Sequence, residues 1–151
     1  MNEILKRVTT VNERDELTEF LNLLEQKIFN ANISIAEFID DNAPVRFKVA
    51  IKEFLLAESA QGQEEKIFSK SKELKNGLVV IPTITLTIAN DPTDETVEIV
   101  RQYLESTGKP VLVEFTKDKS LIGGAVIENS GRVFEYSLRD YFEKRKETNG
   151  L

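Results

Sequence analysis

The sequence predicts an α+β protein, with a small N-terminal helical bundle over residues 1–77 and a compact β-α-β-β-α module over residues 78–151. Three observations carry this prediction. Before Gly77 apolar residues recur at spacings of three and four, the period of an amphipathic helix. After it the period drops to two: Ile84, Leu86 and Ile88 alternate with Thr83, Thr85 and Thr87, as on a strand with one buried face. From Asp118 to Arg139 the chain reads DKSLIGGAVIENSGRVFEYSLR, an apolar run broken first by paired glycines and then by a turn.

The first long helix carries Leu17, Phe20, Leu21, Leu24 and Ile28 on one face, with Asn12 as its expected N-cap and Asp15 in its first turn. Ser34-Ile35-Ala36-Glu37 has capping-box spacing, and Ile33 and Phe38 are placed to staple the start of a second, short helix. A third is expected from Asn42-Ala43-Pro44, striped by Phe47, Ile51, Phe54 and Leu55. Gln63 to Lys75 predicts a fourth, highly charged helix with Ile67, Phe68 and Leu74 as its apolar positions and Gly77 as its stop. Past the strand Ile81 to Ile88, Asp91-Pro92 with Asp94 is expected to open a helix through an N-cap and an N1 proline. Val97, Val100 and Leu104 face its core side, Gly108 ends it, and Val111 to Phe115 returns as a strand.

Glycine weakens a strand interior and marks a bulge or bend, so Gly123-Gly124 predicts a kinked strand from Leu121 to Ile127. Asn129-Ser130-Gly131 predicts a three-residue hairpin loop with a bulge, using positive φ at Gly131. Ser137 stands at an N-cap position, with Asp140 in the first turn of a final helix. That helix ends in Lys144-Arg145-Lys146, charges that suit the macrodipole.

Composition excludes several functions. Asp and Glu number 26 against 20 Lys and Arg, a net charge of −6 that repels phosphate backbones and anionic lipid, so no nucleic-acid partner is expected. Without cysteine there is no disulfide, zinc thiolate or cysteine nucleophile. Without histidine the commonest neutral-pH base and transition-metal ligand is missing. A hydrophobic fraction of 40% supports a packed core, yet no apolar run is long enough to span a membrane. The N-terminus lacks the apolar segment of a signal peptide, so a cytoplasmic protein without membrane insertion is expected.

Motifs that suggest chemistry have plainer explanations. Thr107-Gly108-Lys109 resembles the end of a phosphate-binding loop, but the upstream glycine is missing and the segment ends a helix instead of starting one. Asp40-Asp41 reads as a solvated loop, and Asp91, Asp94 and Glu95 as helix-start carboxylates. The charge run Lys70 to Lys75 reads as a solvated helix face. No catalytic, cofactor-binding or metal-ligating residue is assigned, and no cofactor is expected.

The stretch from Asp118 to Arg139 resembles the C-terminal signature of the delta subunit of F-type ATP synthase, the oligomycin-sensitivity-conferring protein of mitochondria. Family members close on D-x-S-L-I-G-G, an apolar strand, a glycine turn and an acidic residue followed by x-S-L/V-R. The matching positions are Asp118, Ser120, Leu121, Ile122, Gly123, Gly124, Gly131, Ser137, Leu138 and Arg139, with Glu135 where the family usually has aspartate. Among these, Leu121 to Gly124 are expected to shape the fold ahead of touching a partner. Arg139, poorly placed for a helix dipole, points to a carboxylate partner, with Glu135 the candidate.

The resemblance implies a non-catalytic stator subunit that links the catalytic head to the peripheral stalk and supports proton-driven ATP synthesis. In that role the helical domain is similar to a clamp on the N-terminal helix of an alpha subunit, while the C-terminal part holds the ends of the b subunits. The implied location is the cytoplasmic face of the membrane, reached through the complex. An amphipathic helix in an apolar groove is the expected binding mode. The surfaces offered are the N-terminal bundle and the helix Ser137 to Lys146 with Leu138, Tyr141 and Phe142. Family members carry more helices ahead of this module than the four expected here, which implies a shortened N-terminal domain and assigns no head-binding residues. The alternative is a two-domain adaptor joining proteins unrelated to ATP synthase.

Overall fold

The structure, a computed structural model, describes residues 2–30, 32–57 and 64–137. The chain divides into two compact units, Met1–Ile81 and Pro82–Leu151. The final helix expected after Ser137, with Leu138, Arg139, Tyr141 and Phe142, lies outside the described residues.

Among its described residues the first unit is built of helices: α1 Glu3–Arg7, α2 Val11–Lys27, α3 Ile35–Asn42, α4 Lys48–Leu56 and α5 Glu64–Val79. The sequence pattern does not announce α1, because five residues are too few to show a period. It forms because Asn2 Oδ1 accepts a hydrogen bond from the Ile4 amide at 2.9 Å and because Ile4 and Val8 are both buried.

The start of α2 differs from expectation. Thr10, not Asn12, is the N-cap, and it closes a reciprocal box: Thr10 Oγ1 accepts from the Glu13 amide at 3.2 Å while Glu13 Oε2 accepts from the Thr10 amide at 3.2 Å. Two orphan N–H groups are satisfied this way, against one for a lone asparagine cap. Ser34 caps α3 as expected, accepting from the Glu37 amide at 3.4 Å. Helix α4 begins later than Pro44, because residues 44–47 first close a turn in which the Phe47 amide donates to Pro44 O at 2.9 Å.

The apolar stripes meet as predicted. Leu17, Phe20, Leu21, Leu24 and Ile28 are buried, as are Phe47, Ile51 and Leu55, whereas Phe54 and Phe68 are only half-buried; Phe38 stacks on Phe20 with ring centroids 6.2 Å apart. Each buried side chain stabilises the fold by about 1.5–3 kcal/mol. On α5 the buried positions are Ile67, Ser71, Leu74 and Leu78. Ser71 is tolerated there because its hydroxyl reaches Glu25 Oε1 at 3.1 Å, while Glu25 Oε2 meets Lys75 Nζ at 3.0 Å.

Gly77 does not stop α5, which runs on to Val79. Its role is close approach: a Cβ placed there would lie 2.5 Å from Leu5 Cδ1, so α1 leans directly on this point of α5. Gly77→Ala sets a helix-propensity gain of about 1 kcal/mol against displacement of the Leu5 tip, so little net change is expected. In a Leu5→Ala background the same substitution should stabilise by about 1 kcal/mol, read from the urea midpoint.

The second unit, as described, contains β1 Thr83–Ile88, α6 Asp94–Thr107, β2 Leu112–Lys117, β3 Gly124–Asn129 and β4 Arg132–Ser137. The hairpin supplies two strands, so the described order is β-α-β-β-β. Strand order in the sheet is β2-β1-β3-β4; β1 and β2 are parallel, joined through α6, and the other two pairs are antiparallel. Register separates the faces. One carries the row Phe115, Leu86, Ile127, Phe134, and the other the rows Glu114, Thr85, Glu128 and Thr116, Thr87, Val126. A hydrogen bond of 2.6 Å joins the Thr87 and Thr116 hydroxyls. Burial along β1 does not alternate as the sequence suggests: residues 84–88 are half-buried on both faces.

Helix α6 is capped by Thr93, whose hydroxyl accepts from the Thr96 amide at 3.2 Å, so Pro92 precedes the cap instead of occupying N1. Gly108 ends the helix in the left-handed region at φ 65°. The paired glycines lie at the strand's beginning, not in its middle: Gly123 and Gly124 have φ of 78° and 80°, and β3 starts only at Gly124. The hairpin loop has two residues and no bulge, with Asn129 paired to Arg132. Ser130 and Gly131 both have positive φ, 51° and 77°, as a type I′ turn requires. Asparagine tolerates this region better than serine, so Ser130→Asn is expected to add about 0.5–1 kcal/mol, seen as a raised thermal midpoint.

Candidate partner-binding surfaces

Helix α4 buries Phe47, Ile51 and Leu55 on one side and leaves a second apolar line on the other. Val45, just before the helix, is 87% exposed and Val49 is 69% exposed. Two open hollows share Val49 in their lining. One, of about 720 Å³, lies between α1, α4 and α5, with Ile4, Val49, Ala50 and Phe54 as its apolar lining and Asn2, Glu3, Arg7, Glu53 and Glu73 as its polar lining. The other, of about 490 Å³, is lined by Val49, Leu56 and Ala57 with Asp40, Lys48 and Lys52. An exposed apolar side chain shared by two hollows offers a shape into which another helix packs its own side chains.

The charges around these hollows are partly committed. Lys6 binds Glu3 at 2.5 Å, and this hydrogen bond, with the lysine charge, holds the Glu3 carboxyl below its ordinary pKa. Lys52 pairs with Asp40 at 2.6 Å. Lys70 donates to Phe54 O at 3.0 Å and lies 5.6 Å from the Phe54 ring centroid. Sequence reasoning missed this surface, although the four-residue spacing of Val45 and Val49, off the Phe47-Ile51-Leu55 stripe, was a signal for it.

In the second unit the signature positions build a loop and a turn. Asp118 Oδ1 accepts from the Ser120 amide at 2.8 Å, and Asp118 O accepts from the Leu121 amide at 3.1 Å, which folds the chain toward β3. Leu121 is buried and Ile122 exposed. Gly123, Gly124 and Gly131 hold positive φ, and Ser137 ends β4 opposite Gly124. Asp118, Ser120, Leu121, Gly123 and Gly124 are therefore brought together, with Gly131 at the far end of the hairpin. Further apolar side chains stand exposed on α6, at Ile99 and Tyr103, and on β4, at Phe134 and Tyr136.

Residues that suggested chemistry take up structural contacts. Gly108 terminates α6, and Asp91 pairs with Lys117. Among the described residues no three His, Cys, Asp or Glu side chains are grouped to hold a metal ion, and no helix is long and apolar enough to cross a membrane.

A family model described as ATP synthase delta (OSCP) subunit matches residues 1–148, which takes in residues of both units. The chain belongs to this ATP synthase delta (OSCP) family. It is also similar to a protein of Desulfatibacillum aliphaticivorans named ATP synthase subunit delta, with 34% identity over 83 residues, 54% of this chain and 45% of the relative. The matched stretch thus spans about half the length of that delta subunit. The delta-family signature read from Asp118 onward and the family match therefore agree.

Proposed function

We propose that this chain is a non-catalytic coupling subunit of ATP synthase, with its first unit gripping the N-terminal helix of an alpha subunit and its second unit holding the ends of the peripheral-stalk b subunits. Membership of the delta family carries this reading, and exposed Val49, shared by two adjacent hollows, supports its first half. The stator role is mechanical. A chain that binds head and stalk at separate surfaces resists rotation of the head without touching nucleotide, and it needs rigid anchors more than reactive groups. The absence of histidine and cysteine suits that division of labour. Because the protein reaches the membrane only through the complex, its place is peripheral, on the cytoplasmic face. Exposed Ile99, Tyr103, Phe134 and Tyr136 are the described apolar positions from which the stalk surface is drawn.

The test is titration of the full chain with a peptide from the host alpha-subunit N-terminus and another from the C-terminus of the host b subunit. Both should bind. Val49→Asp should abolish binding of the first and leave the second unchanged, since a charge at that position cannot be desolvated cheaply. Binding of neither peptide would reduce the relation to a shared fold.

A further inference from the structure

Resting on the docking of a head helix to the first unit, we infer that Glu53 and Glu73 choose that helix by charge: the groove takes an amphipathic helix whose apolar stripe is flanked by Lys or Arg. Both carboxylates are exposed and line the larger hollow, Glu53 from α4 and Glu73 from α5, and Glu53 also lines the smaller one. Among the described residues neither side chain makes a hydrogen bond or ion pair. Several lysines of the same helices have other partners: Lys48 and Lys52 bind Asp40, Lys75 binds Glu25, and Lys70 binds Phe54 O. Glu3, on the opposite rim, is already bound to Lys6 and also feels the charge of Arg7, which lines the same hollow, so the charges of that rim offset one another and leave Glu53 and Glu73 as the unpaired carboxylates of the groove among the described residues.

A helix seated on Val49 and Phe54 therefore meets carboxylates on its flanks. Docking removes water from those carboxylates, so a facing cation is favoured and a facing carboxylate is penalised. Each pair stays near the surface and contributes modestly, so the effect is on selectivity and on salt dependence more than on total affinity. The apolar lining provides attachment, and the two glutamates decide which helix attaches.

The experiment is calorimetric titration of the full chain with three synthetic amphipathic peptides that share one leucine stripe and carry Lys, Gln or Glu on its flanks. The Lys peptide should bind about fivefold to tenfold more tightly than the Gln peptide, and the Glu peptide more weakly than either. At about 0.5 M salt the preference should shrink, because the Debye length falls to a few ångströms. The double variant Glu53→Gln/Glu73→Gln should erase the Lys preference, so that the Lys and Gln peptides bind alike. Equal binding of all three peptides, abolished by Val49→Asp, would overturn charge selection and leave the groove standing; so would a Lys preference that survives the double variant. Binding of no peptide, or binding indifferent to Val49→Asp, would remove the groove and the inference together.

Discussion

Phe47→Ala is expected to destabilise the helical unit by about 3–5 kcal/mol, the range for deleting a buried aromatic ring from a packed core. Phe47 is 1% exposed and stands at a junction. Its amide closes the turn back to Pro44 O, its carbonyl accepts from the Ile51 amide at 2.8 Å to begin α4, and the Arg46 guanidinium lies 5.6 Å from its ring centroid. Alanine keeps the backbone bonds and loses the ring, so the loss is of packing and the start of α4 is left without its anchor. Hydrogen exchange of the α2 to α5 amides measures the effect in this unit alone, and a urea midpoint shift at unchanged m confirms a change in stability. Phe47→Leu, which fills most of the volume, should cost less than half as much. A loss under about 1 kcal/mol for Phe47→Ala would mean that the site collapses around the gap.

Glu13→Ala is expected to cost about 2–4 kcal/mol through a different mechanism, the stranding of buried donors. One carboxylate oxygen, Glu13 Oε2, accepts from the Thr9 amide at 2.9 Å, the Thr9 hydroxyl at 3.1 Å and the Thr10 amide at 3.2 Å. The other, Oε1, meets Arg46 Nε at 3.4 Å. Thr9 is 2% exposed, so water cannot replace the lost acceptor at its hydroxyl without opening the α1–α2 turn. Glu13→Gln retains an acceptor oxygen and should recover more than half of the loss. Arg46→Ala, which removes a partly exposed cation together with its hydrogen bond to Arg7 O at 3.1 Å and its contact with the Phe47 ring, should cost about 1 kcal/mol. If Glu13→Ala and Arg46→Ala proved equally costly by urea unfolding, the ion pair and not the donor cluster would hold the turn.

These two residues show where sequence legibility ends. Phe47 was readable as core because it falls in step with Ile51 and Leu55, and the same arithmetic placed Leu17, Phe20, Leu21 and Leu24. At Glu13 the spacing Thr10-Val11-Asn12-Glu13 is that of a capping box and favours Thr10 over Asn12, but nothing local shows that Thr9 also donates to the same carboxylate. The box formed at Thr10 because the chain ahead of it turns back into α1, which brings the Thr9 and Thr10 amides to one carboxylate. A similar choice was resolved by structure at Thr93, where the hydroxyl one residue past Pro92 captured the Thr96 amide.

The glycines divide the same way. Gly108 and Gly131 were readable because left-handed backbone at a helix end or a hairpin is a local need, and both show it. The hairpin loop nevertheless contains two residues, because Ser130 also enters the left-handed region and lets Asn129 pair with Arg132. Gly77 looked like a stop and is a contact, a role that depends on Leu5 arriving from another helix.

By itself the amino-acid sequence determined the α+β class, the helix and strand stripes, the acidic balance and the delta-family signature from Asp118 onward, because each is a period or an order along the chain. Only the tertiary structure decided that Gly77 admits Leu5, that exposed Val49 is shared by two hollows, and that Glu53 and Glu73 line one of them together. Those relations join residues far apart in sequence, and they come into being only when burial of the apolar stripes fixes which faces of the helices are left to meet a partner.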